Sequence, residues 1–119
     1  MSYSPQDLYK KILGRKGERL VVAYLKKQGC TILKRNFVTP FGEADIIAQD
    51  GDEVAFVEVK TRMGIGYGTP REAVGKAKQA RYQQIAKFYW KCEREEPNAR
   101  FDVAEVGING EITYYKNAF

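Results

Sequence analysis

The apolar positions change period along the chain, and the changes mark out its elements. Over residues 5–28, Leu13, Gly17, Leu20, Val21 and Tyr24 fall on one face at helical spacing. Pro5 suits a first turn and Gly29 stops the run, which predicts a helix. Thr31 to Phe37 then reads as a strand, Pro40-Phe41-Gly42 as a turn, and Ala44-Asp45-Ile46-Ile47-Ala48 as a second strand. Asp50-Gly51-Asp52 lies between two apolar runs and marks a hairpin. Its far arm, Glu53 to Lys60, is the strongest strand signal in the chain. Residues 62–70, with Gly64, Gly66, Gly68 and Pro70, read as a loop. A second helix is predicted from Pro70 or Glu72 to Lys91, with Val74, Ala77, Ile85, Phe88 and Cys92 on its inner face. Arg100 to Val106 is a fourth strand, Asn109-Gly110 a turn, and Glu111 to Tyr115 a fifth strand. There is no repeat, low-complexity segment or linker. The order α-β-β-β-α-β-β predicts a single α/β domain over residues 1–119, a mixed sheet of about five strands flanked by helices.

Composition narrows the chemistry. The chain has 119 residues, 44% of them apolar and 29% charged, enough for one modest core. It has no histidine, which excludes Ser-His-Asp and Cys-His catalysis and any imidazole-bound zinc. Its two cysteines, Cys30 and Cys92, cannot form a four-thiolate site and are expected as small buried hydrophobes. No stretch approaches the roughly 18–20 apolar residues of a membrane span, and the N-terminus lacks a basic-then-apolar signal pattern. The expectation is a cytoplasmic protein with reduced thiols and no membrane contact. Gly64, Gly66 and Gly68 match no phosphate-binding motif, since no Lys-Ser/Thr follows. They read as a flap over DNA, and no organic cofactor is implied.

The net charge of +5 is mild, but its distribution is not even. Residues 1–40 carry nine basic groups and two acids, and residues 62–91 carry seven basic groups and one acid. Between them, residues 41–61 carry six acids and a single base, Lys60. Basic arms suit a polyanion. An acidic block inside them would repel phosphate, and a bound divalent cation would resolve that conflict. A solvated acidic loop is the plainer alternative.

The block carries a constellation. Alternation puts Val54, Phe56, Glu58 and Lys60 on one face of the third strand and Ala55, Val57 and Val59 on the other. Glu58 and Lys60 therefore share a face, about 7 Å apart along the backbone. If the hairpin closes at Asp50-Gly51-Asp52, Asp45 falls opposite Val57 or Glu58 on the neighbouring strand. Two such carboxylates raise each other's pKa unless a cation relieves them. Mg²⁺ prefers a partial carboxylate cage completed by water and phosphate. Lys60 beside it could hold or deprotonate the attacking water or neutralise the phosphate. That is the chemistry of metal-dependent phosphodiester hydrolysis, and it needs no histidine. The alternative is a hairpin with a surface Glu–Lys pair.

Glu18 is a third carboxylate of interest, near the apolar flank of the first helix beside Val22 and Leu25. It either supports the ion or makes a salt bridge to Arg15, Arg19 or Arg62. Glu43 is expected to point away from Asp45. Thr61, Arg62, Lys78 and Arg81 are candidate phosphate contacts, with a solvated strand end and helix face as alternatives. Phe88, Tyr89 and Trp90 fit core packing better than a base-stacking platform, and Asp102 is expected to pair with Arg100.

Several blocks in this order carry a resemblance: Gly17-Glu18, Arg35-Asn36-Phe37, Gly42-Glu43-Ala44-Asp45-Ile46-Ile47-Ala48, and Val54-Ala55-Phe56-Val57-Glu58-Val59-Lys60-Thr61-Arg62. Ala73-Val74 with Lys78, and Arg100-Phe101-Asp102-Val103, complete it. Over roughly residues 14–106 the chain resembles the YraN family of small bacterial proteins. The resemblance implies a restriction-endonuclease-like fold close to archaeal Holliday-junction resolvases, with the PD-(D/E)xK nuclease motif. On that pattern Asp45 matches the first acid, Glu58 and Lys60 match the second acid and the lysine, and Glu18 matches the extra helix carboxylate of the resolvase-like branch. The carbonyl of Val59 would complete the metal shell. Ala44 stands where the motif has proline. The implied activity is an endodeoxyribonuclease dependent on Mg²⁺, with Mn²⁺ as a substitute, acting on branched or structured DNA. The resemblance also allows a homodimer, which symmetric cutting of two strands requires. The same fold hosts members that bind without cutting, so a non-catalytic nucleic-acid-binding or protein-interaction module is the alternative.

Overall fold

The computed structural model describes residues 4–61, 74–93 and 98–119. The glycine loop at 62–70, Arg62 and the start predicted for the second helix lie outside the described residues. Among the described residues the elements are α1 (Pro5–Lys27), β1 (Thr31–Thr39), β2 (Gly42–Asp50), β3 (Glu53–Thr61), α2 (Lys76–Glu93), β4 (Asn98–Val106) and β5 (Ile112–Tyr115). They form one five-stranded sheet in the order β1-β2-β3-β4-β5. The first three strands are an antiparallel meander, β4 joins β3 in parallel, and β5 returns antiparallel.

Each helix buries one face of the sheet. Val21, Val22 and Leu25 of α1 pack on Ile46, Ala48, Ala55, Val57, Ala104 and Val106. Tyr82, Ile85, Ala86 and Tyr89 of α2 pack on Ala44, Ile47, Val54 and Phe56. The central strand β3 is thus covered on both sides, which is why it reads as a near-continuous apolar run. Phe56 anchors the α2 side, with ring centroids 5.9 Å from Tyr89 and 5.4 Å from Trp90. Tyr89 and Trp90 are therefore core residues.

Two features differ from the predicted pattern. The inner stripe of α2 is Tyr82, Ile85, Ala86 and Tyr89, whereas Ala77 and Cys92 are not among the buried residues and Cys92 is exposed. The rings of Tyr82 and Tyr89 bury more area than an alanine or a cysteine, so they set the rotation of the helix. The hairpin of β1 and β2 also extends to Thr39↔Gly42. Thr39 Oγ1 donates to the Gly42 carbonyl at 2.8 Å and accepts from Phe41 N–H at 3.0 Å, which ties the turn.

Two glycines position α1. Gly29, at φ 90°, ends the helix: Cys30 N–H donates to the Leu25 carbonyl at 2.9 Å and Gly29 N–H to the Lys26 carbonyl at 3.0 Å. Gly17 lets the helix touch the sheet, since a Cβ there would lie 2.9 Å from Thr61 Oγ1. On the α1 side of the sheet, polar contacts bolt β4 to the β2–β3 hairpin. Arg100, 3% exposed, donates to Asp102 at 3.0 and 3.1 Å and to Glu53 at 3.0 Å, and pairs with Asp50 at 3.0 Å. Asp102 also accepts from Tyr114 Oη at 2.6 Å and Asn117 N–H at 3.0 Å. The Arg100–Asp102 pairing is as the sequence suggested.

Candidate functional site

β2 pairs with β3 from Asp50↔Glu53 to Ile46↔Val57. One further step along that register sets Asp45 beside Glu58. There the Asp45 carboxylate takes over from the backbone ladder, with Oδ2 accepting Val59 N–H at 2.8 Å. Glu58 and Lys60 share the α2 face of β3, as alternation requires, and Lys60 Nζ lies 3.7 Å from Glu58 Oε1.

Glu58 is 3% exposed and well partnered. Lys78, on the first turn of α2, forms a short contact to Oε1, and Tyr82 Oη donates to Oε2 at 2.6 Å. Lys78 and Tyr82 are one helical turn apart and so reach the same carboxylate. Burial, reinforced by the charges of Glu58 and Asp45, holds Tyr82 well above its ordinary pKa, so it serves as a donor. Asp45 is pushed up to about 7, first by burial and then by the Glu58 charge. The Val59 N–H and Lys78 offset this in part, while Glu18 adds to it. Asp45, Lys78 and Tyr82 line a cleft of about 270 Å³ with Gly42, Glu43, Arg81 and Ile85.

Glu18 stands apart from Glu58's partners. Burial raises its pKa, the Asn36 amide lowers it, and the Glu43 and Glu58 charges raise it again. With the amide nitrogen facing the acids, the orientation in which donors meet acceptors, Asn36 Nδ2 lies 3.0 Å from Glu18 Oε2 and 3.1 Å from Glu43 Oε1. Among the described residues, Asn36 rather than an arginine is the hydrogen-bond partner of Glu18. Glu43 also lines the cleft with Asp45, contrary to expectation. Residues two apart on a strand share a face, and that spacing was the signal for it. Thr61 lies on the other face, with its hydroxyl against Gly17 and away from Lys60. Lys78 sits in the middle of the site and Arg81 is exposed on its rim. Tyr82 was missed, although its spacing from Lys78 and Ile85 places it on the same helix face.

The fit to a divalent cation follows from this geometry. Among the described residues no three Asp, Glu or Cys side chains close around one point, so the expected cage of Glu18, Asp45 and Glu58 is not preformed. Mg²⁺ asks for less, since one or two carboxylates suffice when water and phosphate complete the shell. Asp45 and Glu58 meet that requirement: they are adjacent acids, Glu58 buried and Asp45 lining the cleft, with Asp45 raised by burial and then by the Glu58 charge.

The model of the family described as "Uncharacterised protein family UPF0102" matches residues 17–106. The chain belongs to this family, UPF0102 (YraN). A UPF0102 protein of Syntrophus aciditrophicus (strain SB) is 46% identical over 110 residues, covering 89% of this chain and 87% of that protein. One from Alkaliphilus metalliredigens (strain QYMF) is 46% identical over 114 residues, covering 92% and 98%. Among solved structures, Archaeoglobus fulgidus Hjc, a Holliday junction resolvase from an archaeal hyperthermophile, aligns with a TM-score of 0.57 at 21% identity. That alignment covers 83% of this chain and 72% of Hjc. The UPF0102 chain thus has the restriction-endonuclease-like fold, with β2 and β3 carrying the acids. No helix among the described residues is long and apolar enough to cross a membrane.

Proposed function

We propose that this UPF0102 chain is a metal-dependent nuclease that hydrolyses phosphodiester bonds in DNA. The observation that carries the reading is the Asp45–Glu58 pair on adjacent strands, with Asp45 pushed up to about 7 and Lys60 on the face of Glu58. Asp45 and Glu58, with the Val59 carbonyl, would hold Mg²⁺ or Mn²⁺, and Glu18 would close on the ion as a further carboxylate ligand. The cation would supply Lewis-acid polarisation of a phosphate oxygen and charge for the transition state. Lys60, as an ammonium, would orient the attacking water and offset the charge that develops on the phosphate. Lys78 and Arg81 would hold the phosphates entering the cleft, with Arg62 beyond β3 as a further contact. Thr61, packed on Gly17, would serve by fixing the end of β3. The fold shared with a Holliday junction resolvase favours branched DNA, cut by a homodimer.

The test is an Mn²⁺-supported cleavage panel of four-way junctions, flaps, single strands and duplexes. The reading predicts cleavage that is lost in Asp45→Ala and Lys60→Ala while both variants stay folded. Cleavage at the wild-type rate in either variant would overturn it. A second reading has its own support. Both Glu58 oxygens already have partners in Lys78, Lys60 and Tyr82, as in a binding module that needs no metal. DNA binding unaffected by EDTA, with no cleavage of any substrate in the panel, would favour that module.

A further inference from the structure

Asn36 has a backbone conformation that its strand does not require. It lies in β1 at φ 51°, a left-handed value rare outside glycine. The ladder runs from Arg35↔Ile46 to Phe37↔Ala44, so Asn36 stands across from Asp45. From there its amide nitrogen reaches two carboxylates on two different elements, Glu18 of α1 at 3.0 Å and Glu43 of β2 at 3.1 Å. Like charges repel, so two acids brought this close need a shared partner. A carboxamide has two N–H donors on one atom, so it can serve both acids without adding charge. Asparagine is also among the few non-glycine residues that tolerate the left-handed region. A left-handed backbone that turns an amide to two charge-assisted hydrogen bonds, one of them to the cleft-lining Glu43, points to a task.

We propose that Asn36 is a positioning residue: its amide clamps Glu18 to Glu43 and so holds Glu18 beside the Asp45–Glu58 pair. This inference rests on the nuclease reading and deepens it by naming what aims the helix carboxylate. Packing already sets the depth of α1, through Gly17 on Thr61. The clamp sets the direction of the neighbouring side chain, which packing leaves open.

The test is Mn²⁺ titration calorimetry on the full chain, comparing wild type, Asn36→Gly, Asn36→Asp, Glu18→Gln and the Asn36→Gly/Glu18→Gln double variant. Glycine keeps the left-handed backbone and deletes the amide, so it isolates the clamp. Aspartate keeps the shape and replaces the donor with a third negative charge. Losing a partner that orients a metal-holding carboxylate typically weakens affinity about 10–100-fold, and Asn36→Gly should fall in that range. Asn36→Asp should weaken Mn²⁺ binding as well. In the Glu18→Gln background, Asn36→Gly should cost nothing further, because the two act as one unit. A purely structural role would give the same fold-loss in both backgrounds, and that result overturns the proposal. So does Asn36→Gly binding Mn²⁺ as wild type does. Absence of Mn²⁺ binding by the wild type would remove the nuclease reading together with the clamp, whereas the two preceding outcomes remove the clamp alone.

Discussion

Replacing Asp45 by asparagine should stabilise the metal-free protein at neutral pH. The carboxyl is pushed from an ordinary value of 3.8 up to about 7, by burial first and the Glu58 charge second. A raised carboxyl pKa means that the folded state holds the proton more tightly than the unfolded chain does. Stability is therefore fully present below 3.8 and is lost progressively as pH rises through 7. The shift is about three units, and at about 1.36 kcal/mol per unit the loss at pH 8 is roughly 3–4 kcal/mol. The substituted amide would carry no charge, and its carbonyl could still accept Val59 N–H, the bond now 2.8 Å long. Urea denaturation with EDTA present is the assay. With slopes of about 1–3 kcal/mol per molar urea, Asp45→Asn should raise the midpoint at pH 8 by about 1 M or more. At pH 4 the variant and the wild type should nearly coincide. Adding Mn²⁺ at pH 8 should close the gap by stabilising only the wild type. If Asp45→Asn gains nothing at pH 8, and its midpoint tracks that of the wild type across the pH range, the two carboxylates are not in conflict.

The other predictions concern the supports of the site. Tyr82→Phe removes the donor to Glu58 Oε2 and leaves a buried carboxylate oxygen short of a partner. It should cost about 1–3 kcal/mol in urea unfolding while leaving the α2 packing intact. Arg100→Ala strips the counter-charge from Asp102, which is fully buried, and should cost about 3–5 kcal/mol. A smaller Arg100→Ala loss, measured by thermal or urea unfolding, would mean that water reaches the bolt. Gly17→Ala places a Cβ 2.9 Å from Thr61 Oγ1. It should cost about 1–3 kcal/mol by overpacking, read in the same urea assay, and shift Glu18 with the helix.

How far each feature was legible depended on its range. β3 was clear because burial on both faces leaves a run of apolar residues, and the same alternation correctly put Glu58 and Lys60 on one side. The Asp45–Glu58 adjacency followed from the hairpin, since a tight turn propagates its register. Features resting on distant partners were not legible. Tyr82 meets Glu58 across 24 positions, and Asn36 meets Glu18 from another element. No local period encodes either contact. The inner face of α2 was misread because weight went to Ala77 and Cys92 while the tyrosine rings supply the buried area. Glu43 was misjudged against a rule that was already available, that alternate strand residues share a face.

Proton release on Mn²⁺ binding tests most directly whether Asp45 and Glu58 hold a hard cation together. Calorimetry in buffers of different ionisation enthalpy counts the protons. With Asp45 at about 7, binding at about pH 6 should expel close to one proton per Mn²⁺, binding at about pH 8.5 almost none, and Asp45→Asn should release none at either pH. Equal release at both pH values, or Mn²⁺ binding that survives Asp45→Asn undiminished, would contradict the account.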